Sequence, residues 1–161
     1  MPNPIDLTTA GVHLGYAVET TAGTRPTSGY TDLPGVKSTP SLNPSPEALD
    51  ATTLNETTYM VYVQGLKDLG GSLEFNFNLT QVFLNAWETL CSAAATAKAA
   101  GKATWFCITI PGLTKAVFFK GEPSDAGLPA MEVNSVLETT AYITPTGEPS
   151  WENKPTNPVT E

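Results

Sequence analysis

Histidine, cysteine and basic residues are scarce in this 161-residue chain. It has one histidine, two cysteines, and eight lysines and arginines against sixteen acids, giving a net charge of -8. The bases are scattered and form no cluster, so a nucleic-acid-binding face is not expected, whereas a surface that repels nucleic acid fits the balance. His13 has no nucleophile near it in sequence and reads as structural. Cys91 and Cys107 are 16 residues apart, with no histidine or further cysteine close by, which makes no zinc motif. In a reducing compartment they read as two buried thiols, with a contact between them as the lesser alternative. Gly65 and Gly70-Gly71 lack the Lys-Ser/Thr partner of a phosphate loop, and no serine sits in a nucleophile elbow. The chain therefore shows no catalytic constellation, cofactor or metal set, and is expected not to be an enzyme. No run approaches the ~20 apolar residues of a membrane helix. Met1-Pro2-Asn3-Pro4 lacks the basic start and apolar run of a signal peptide, so synthesis in a cytoplasm is expected. Asn55-Glu56-Thr57 and Asn78-Leu79-Thr80 then match the glycosylation pattern by chance.

Charge is low as well: 15% charged residues against 40% hydrophobic. The length fits one domain with a real core. Much of the surface must be Thr, Ser, Asn and Gly, which suits strands and subunit contacts.

The strongest signals lie between Gly71 and Phe119. Leu73, Phe75, Phe77 and Leu79 alternate with Ser72, Glu74, Asn76 and Asn78, the pattern of a half-buried strand. The period then changes: Val82, Phe83, Ala86, Trp87, Leu90, Cys91 and Ala94 make one helical stripe, predicting a helix over about 81–100. Thr80 can cap its start and Gly101 its end. Trp105 to Ile110 and Lys115 to Lys120 read as two strands around a tight turn. Val12 to Glu19 is a further expected strand. Ala130 to Ile143 alternates over 14 residues, with Met131, Val133, Leu137, Ala141 and Ile143 on one side. Glu132, Asn134, Glu138, Thr140 and Tyr142 are on the other, and Val136 breaks the pattern.

Between these elements lies a long excursion, 38–67. Across the wider stretch from Thr31 to Leu69, Pro34, Pro40, Pro44 and Pro46 exclude a helix and a central strand. Ala51 to Leu54 and Thr58 to Val63 read as short strands within it, and Gly65 to Gly71 as its closing turn. An excursion of this length is either a mobile surface loop or a contact arm. After Gly147 the Pro-rich stretch 148–161, with its lone Trp151, reads as a tail ordered only against a partner. Glu74, Glu132 and Glu138 are the carboxylates on polar strand faces. A glycosidase would need two such groups at a fixed separation, and a solvated face or a shared channel is the plainer reading. The fold class is mainly β, a β-sandwich or barrel with one flanking helix and long loops.

The order of several motifs resembles the tail tube proteins (major tail proteins) of long-tailed phages. These are Leu33-Pro34-Gly35-Val36-Lys37-Ser38, Asp50-Ala51-Thr52-Thr53-Leu54 and Gly65-Leu66-Lys67-Asp68-Leu69-Gly70. The Leu73 strand leading into an alanine-rich helix follows, then Met131-Glu132-Val133-Asn134-Ser135 ahead of Ile143-Thr144-Pro145-Thr146-Gly147. The resemblance implies a single tail-tube domain over 1–147. It implies self-assembly into hexameric rings that stack into a tube of the virion tail, with DNA passing the lumen during ejection without specific binding. It implies as partners the protein itself, a tape-measure protein, a tail terminator and a distal tail protein, with no membrane and no cofactor. Polar strand faces would line the lumen through Glu74, Asn76, Asn78, Glu132, Asn134 and Glu138. Their negative charge would repel phosphate within a Debye length of ~8 Å. The excursion would meet a neighbouring subunit or ring through Ser41, Leu42, Asn43, Glu47, Asp50, Thr53 and Leu54. Two alternatives stand beside this reading. One is an inner tube of a contractile tail or secretion system. The other is a secreted or surface β-sandwich binding carbohydrate on Trp105, Trp151 or Tyr142.

Overall fold

The computed structural model describes residues 9–155. Among them the chain order is β1 (His13–Val18), β2 (Thr31–Asp32), β3 (Val36–Ser38), β4 (Pro46–Asp50), β5 (Tyr62–Lys67) and β6 (Leu73–Asn78). Then follow α1 (Gln81–Ala99), β7 (Thr104–Thr109), β8 (Lys115–Pro123), β9 (Glu138–Pro145) and β10 (Ser150–Asn153). The main sheet runs β2-β1-β7-β8-β9-β6-β3, with β10 added to β8, while β4 and β5 pair only with each other. All pairings are antiparallel.

β8 carries both halves of this sheet. Along its first part β7 lies on one side and β10 on the other, so that Ile108 and Trp151 both face Val117. Its last part, Gly121 to Pro123, pairs β9 instead. Between the two the sheet curls into a half-barrel. Gly121 sits at the bend, where a Cβ would lie 2.5 Å from Cγ2 of Ile143 and 3.1 Å from the Thr144 carbonyl oxygen. The free edges of the curl, β2 and β3, are joined directly through Leu33, Pro34 and Gly35. The Leu33 N–H donates to the Leu14 carbonyl (2.8 Å) and the Asn78 N–H donates to the Gly35 carbonyl (2.9 Å). One short stretch thus laces both edges, and edges of this length offer little template for stray pairing.

The helix covers the inside of the curl. The Thr80 hydroxyl accepts from the Phe83 N–H at 3.1 Å, an N-cap at the expected residue. At the other end Gly101 has φ +74, and its N–H donates to the Lys98 carbonyl at 3.1 Å. The Lys102 N–H donates to the Ala97 carbonyl at 2.8 Å, which completes a Schellman turn. Phe83, Trp87, Leu90 and Ala97 form the buried stripe. Val82 was expected in it but is exposed, because it points off the face defined by Phe83 and Trp87. Phe83 stacks on Phe77 with ring centroids 4.5 Å apart. The Trp87 indole N–H donates to the Ser124 carbonyl at 2.8 Å.

The two halves of the sheet are buried differently, and this explains the two strand patterns. β6 and β9 bury only one side, Leu73, Phe75, Phe77, Ala141 and Ile143, and they alternate. β7 is covered on both: Phe106 and Ile108 join the helix-side core, while Cys107 packs with Ala17, Tyr30, Ala116 and Phe118 on the far side. A strand covered twice reads as a continuous apolar run. The cysteines therefore lie on opposite sides of the sheet and are both free thiols; Cys91 is half-buried and Cys107 buried. Burial pushes the Cys107 thiol up to about 12. Burial, then the Asp125 and Glu88 carboxylates, raise Cys91 to about 11.

Several expected elements are corrected. The 14-residue strand begins only at Glu138, so Glu132 and Asn134 lie outside any strand and Met131, Val133, Val136 and Leu137 are exposed. Asn134 has φ +60, which no strand residue adopts. In the excursion the strands are shifted to β4 and β5. The Asp50 carboxylate accepts from the Thr52 N–H (2.9 Å), and Thr52 Oγ1 accepts from the Val61 N–H (2.9 Å), so side chains replace the ladder there. Gly65 lies inside β5 rather than in a closing turn, because a Cβ would sit 3.1 Å from the Glu47 carbonyl oxygen. The tail contains β10, whose four residues fit between Pro149 and Pro155 and pair β8. The remainder of the tail, 156–161, lies outside the described residues, as do residues 1–8.

Gly121→Ala tests the bend. With Ile143 Cγ2 only 2.5 Å from the new methyl, overpacking should destabilise the fold by ~1–3 kcal/mol. Chemical denaturation checks this; an unchanged midpoint would remove the bend from the argument.

Candidate assembly interface

The β4–β5 hairpin is an arm. No residue from 45 to 68 is buried. Leu49, Leu54, Tyr59, Met60, Val61, Tyr62, Val63 and Leu66 are all exposed. A lone two-stranded hairpin is marginal in water, and an apolar patch of this kind marks an interaction surface. Of the residues expected at a contact, Glu47 and Asp50 are on β4 and Thr53 and Leu54 are at the tip. Ser41 and Asn43 are exposed on the approach. Leu42 differs: it packs against the main core and roots the arm. Beside it a cleft of about 670 Å³ separates the arm base, including Asn43, Leu66 and Lys67, from Pro145 and Gly147 to Pro149. Tyr59 to Val63 and Leu66, the most apolar part of the arm, were not singled out by sequence. Sequence reads Thr58 to Val63 as a short strand and gives it no contact role.

The second surface is the outer face of β3, β6 and β9. The register sets Glu74 opposite Tyr142, Asn76 opposite Thr140 and Asn78 opposite Glu138. Asn76 bridges the three strands: its amide donates to Ser38 Oγ at 2.8 Å, and its Oδ1 accepts from the Thr140 hydroxyl at 2.9 Å. Glu138 is ion-paired with Lys37. Four of the six residues expected along a lumen thus share one face, and Glu132 and Asn134 do not join it. Among the described residues Glu74 is the carboxylate there with no ion-pair partner. Among the described residues no three His, Cys, Asp or Glu side chains are grouped to hold a metal. Among the described residues no helix is long and apolar enough to cross a membrane.

The third surface is a pocket of about 400 Å³ at the C-terminal end of α1. Lys98, Lys102, Lys120, Gly121, Glu122 and Thr146 line it, and Glu19 forms part of its wall. Lys98 pairs with Glu122 at 3.1 Å. Lys120 lies 5.8 Å from the centroid of the Trp105 ring. Glu19 is only 4% exposed, and sequence gave no sign of its role. It accepts from the N–H groups of Gly23 (2.9 Å) and Ala103 (3.1 Å) and from the Trp105 indole (2.9 Å). Burial raises its pKa, but these hydrogen bonds and the Lys120 charge outweigh burial and lower it from its ordinary 4.5.

The fold and its surfaces define a mainly-β half-barrel with one flanking helix and a projecting arm. No protein-family model matches the chain, and no curated protein matches its sequence. Several solved chains do match in structure. One belongs to the cryo-EM structure of the anti-feeding prophage baseplate, 6-fold symmetrised. It is similar at a TM-score of 0.54 over 88% of this chain and 92% of that one, with 10% sequence identity. At that identity the likeness establishes the shared fold.

Glu19→Gln should cost on the order of 2 kcal/mol at neutral pH, since charge-assisted hydrogen bonds are lost. The sign with pH follows from the lowered pKa. The carboxylate stabilises the fold above its unfolded pKa, and that contribution fades as pH falls through the folded one. Denaturation of wild type and variant should therefore converge in acid. Parallel pH curves would exclude this role for Glu19.

Proposed function

We propose that this protein is a structural subunit of a phage tail or tail-like particle. In this reading it is not an enzyme, and it assembles with copies of itself through the β4–β5 arm. The observation that carries it is the arm itself: a hairpin rooted by Leu42 that buries none of its own apolar residues. The likeness of fold to a baseplate chain supports the same class of role. Six-fold rings stacked into a tube, with DNA passing the lumen, are the arrangement proposed from the tail tube resemblance. A tape-measure protein, a terminator and a distal tail protein are its proposed partners.

In such a tube the face bearing Glu74, Asn76, Asn78 and Glu138 lines the lumen. With Lys37 bound to Glu138, its resistance to DNA rests on polar side chains and on Glu74 more than on a dense negative charge. A second reading places the subunit in the baseplate, since the neighbour named above is a baseplate chain. The carbohydrate-binding alternative has less support. Its three aromatics lie on β7, β9 and β10, and the Trp105 indole is engaged by Glu19.

Replacing 46–67 with a short Gly-Ser linker, sparing Leu42, should leave a folded monomer, because the arm contributes nothing buried. Negative-stain microscopy of the wild type should then show rings or tubes that the variant lacks. Long tubes favour the tail shaft and isolated rings the baseplate. Wild-type-like assemblies from the armless chain would sink the proposal. In assembled wild type, Glu74 and Glu138 at subunit contacts or on the outer surface would refute the lumen assignment.

A further inference from the structure

The charges of this chain are unevenly placed. From Pro46 to Val63 there are three acids, Glu47, Asp50 and Glu56, and no base. Three of the eight bases, Lys98, Lys102 and Lys120, surround the single pocket at the end of α1. We infer that this lysine pocket receives the acidic arm of a second copy of the chain. The inference rests on the self-assembly reading above and names the receiving surface.

The pocket's own carboxylates leave it with basic character. Glu19, in the wall, stays charged but has its oxygens occupied by three N–H donors, and with Glu122 it sets two carboxylates against three lysines. Glu122 is taken by Lys98. Among the described residues Lys102 and Lys120 make no close ion pair, although Lys120 is near enough to Glu19 to lower its pKa. The negative end of α1 adds little, since the Ala97 and Lys98 carbonyls are already bonded in the Schellman turn. On the arm, the side-chain and main-chain hydrogen bonds from Thr52 lower the Asp50 pKa, keeping that carboxylate ionised.

The arm is rooted beside Gly147, and the pocket is lined by the adjacent Thr146. β4 spans Pro46 to Asp50, and at ~3.3 Å per residue it sets Asp50 about 13 Å beyond Pro46, with Glu56 in the tip that follows. The arm of one copy and the pocket of the next are different patches. A contact of this kind is heterologous and propagates into a closed ring or an open filament.

The test is a charge swap read by sedimentation equilibrium. One variant carries Lys98→Glu and Lys102→Glu, a second Glu47→Lys, Asp50→Lys and Glu56→Lys, and a third carries all five changes. Each reversed set alone should weaken self-association about tenfold or more, and the combined chain should recover most of it, because attraction is restored with opposite sign. Circular dichroism checks folding. Should a variant fail to fold, concentration-dependent amide shifts of the wild type in NMR take its place, and they should appear at Lys98 to Lys102 and along the arm. If the pocket reversal leaves association unchanged while removal of the arm abolishes it, the arm docks elsewhere and this inference falls alone. A wild type that stays monomeric overturns the assembly reading and this inference with it. Retardation of duplex DNA that is lost on Lys98→Glu and Lys102→Glu, with self-association intact, would reassign the pocket to phosphate and overturn the arm contact.

Discussion

One strand serving two neighbours on the same edge sets the shape of this molecule. β8 meets β10 and then β9 along one side, and the bend between them depends on Gly121 having no side chain. Once the sheet curls there, the strands on its two sides face each other across a buried apolar interior. Aromatic rings fill that interior. Phe106 stacks on Phe119 at 5.3 Å and Phe119 on Phe75 at 6.3 Å, so a run of rings links β7, β8 and β6. Each such pair adds ~0.5–1.5 kcal/mol beyond the area it buries. The helix closes the remaining side, and Thr31 to Ser38 stitches the two edges from outside. Glu19 does a similar job with charge, holding the loop after β1 against the turn that leads into β7.

Legibility in the sequence follows from where each element finds its partners. β6 and α1 were readable because their own side chains define one buried side with a clear period, and Thr80 and Gly101 mark the helix ends. β7 was readable as a continuous run, though not that two separate layers cover it. β2 and β3 escaped, since two- and three-residue strands exist only by pairing with β1 and β6 and leave no period. β9 was half legible. Its alternation continues upstream through Met131 and Val133, but nothing in the fold lies across from them. β10 is strand only because β8 has an edge to spare. The candidate surfaces divide the same way. Glu74, Asn76, Asn78 and Glu138 come together because register on a sheet is periodic, whereas Glu132 and Asn134 followed the false extension of β9. The buried carboxylate of Glu19 has no local signature at all, since its three donors come from residues 23, 103 and 105.

The arm was visible first as a puzzle: a long proline-rich excursion that a compact domain has no reason to keep. The structure sharpens it. Thr52 and Asp50 use their side chains to hold the hairpin together beyond the ladder, and Gly65 lets β5 approach β4 closely, so the sequence invests in the arm's internal order. Yet Tyr59 to Val63 remain in water. Local order without burial is costly for an isolated chain, because ordering entropy is not offset by removal of apolar surface. The combination is intelligible if the arm is pre-organised for a surface that the single chain does not provide.

Net charge bears on whether copies of such a chain can associate at all. At -8 each, two copies repel at long range. That repulsion is screened beyond ~8 Å at physiological ionic strength, while apposed opposite charges at closer range are screened less. What matters is then the arrangement rather than the sum. Acids without bases occupy the arm from Pro46 to Val63, three lysines gather at the end of α1, and the face of β6 and β9 keeps one lysine for its two carboxylates. A chain arranged this way attracts another in the orientation that brings arm to pocket and repels it when arm meets arm. Isologous pairing through the arms is thereby disfavoured, and head-to-tail contact is the arrangement from which rings and tubes are built.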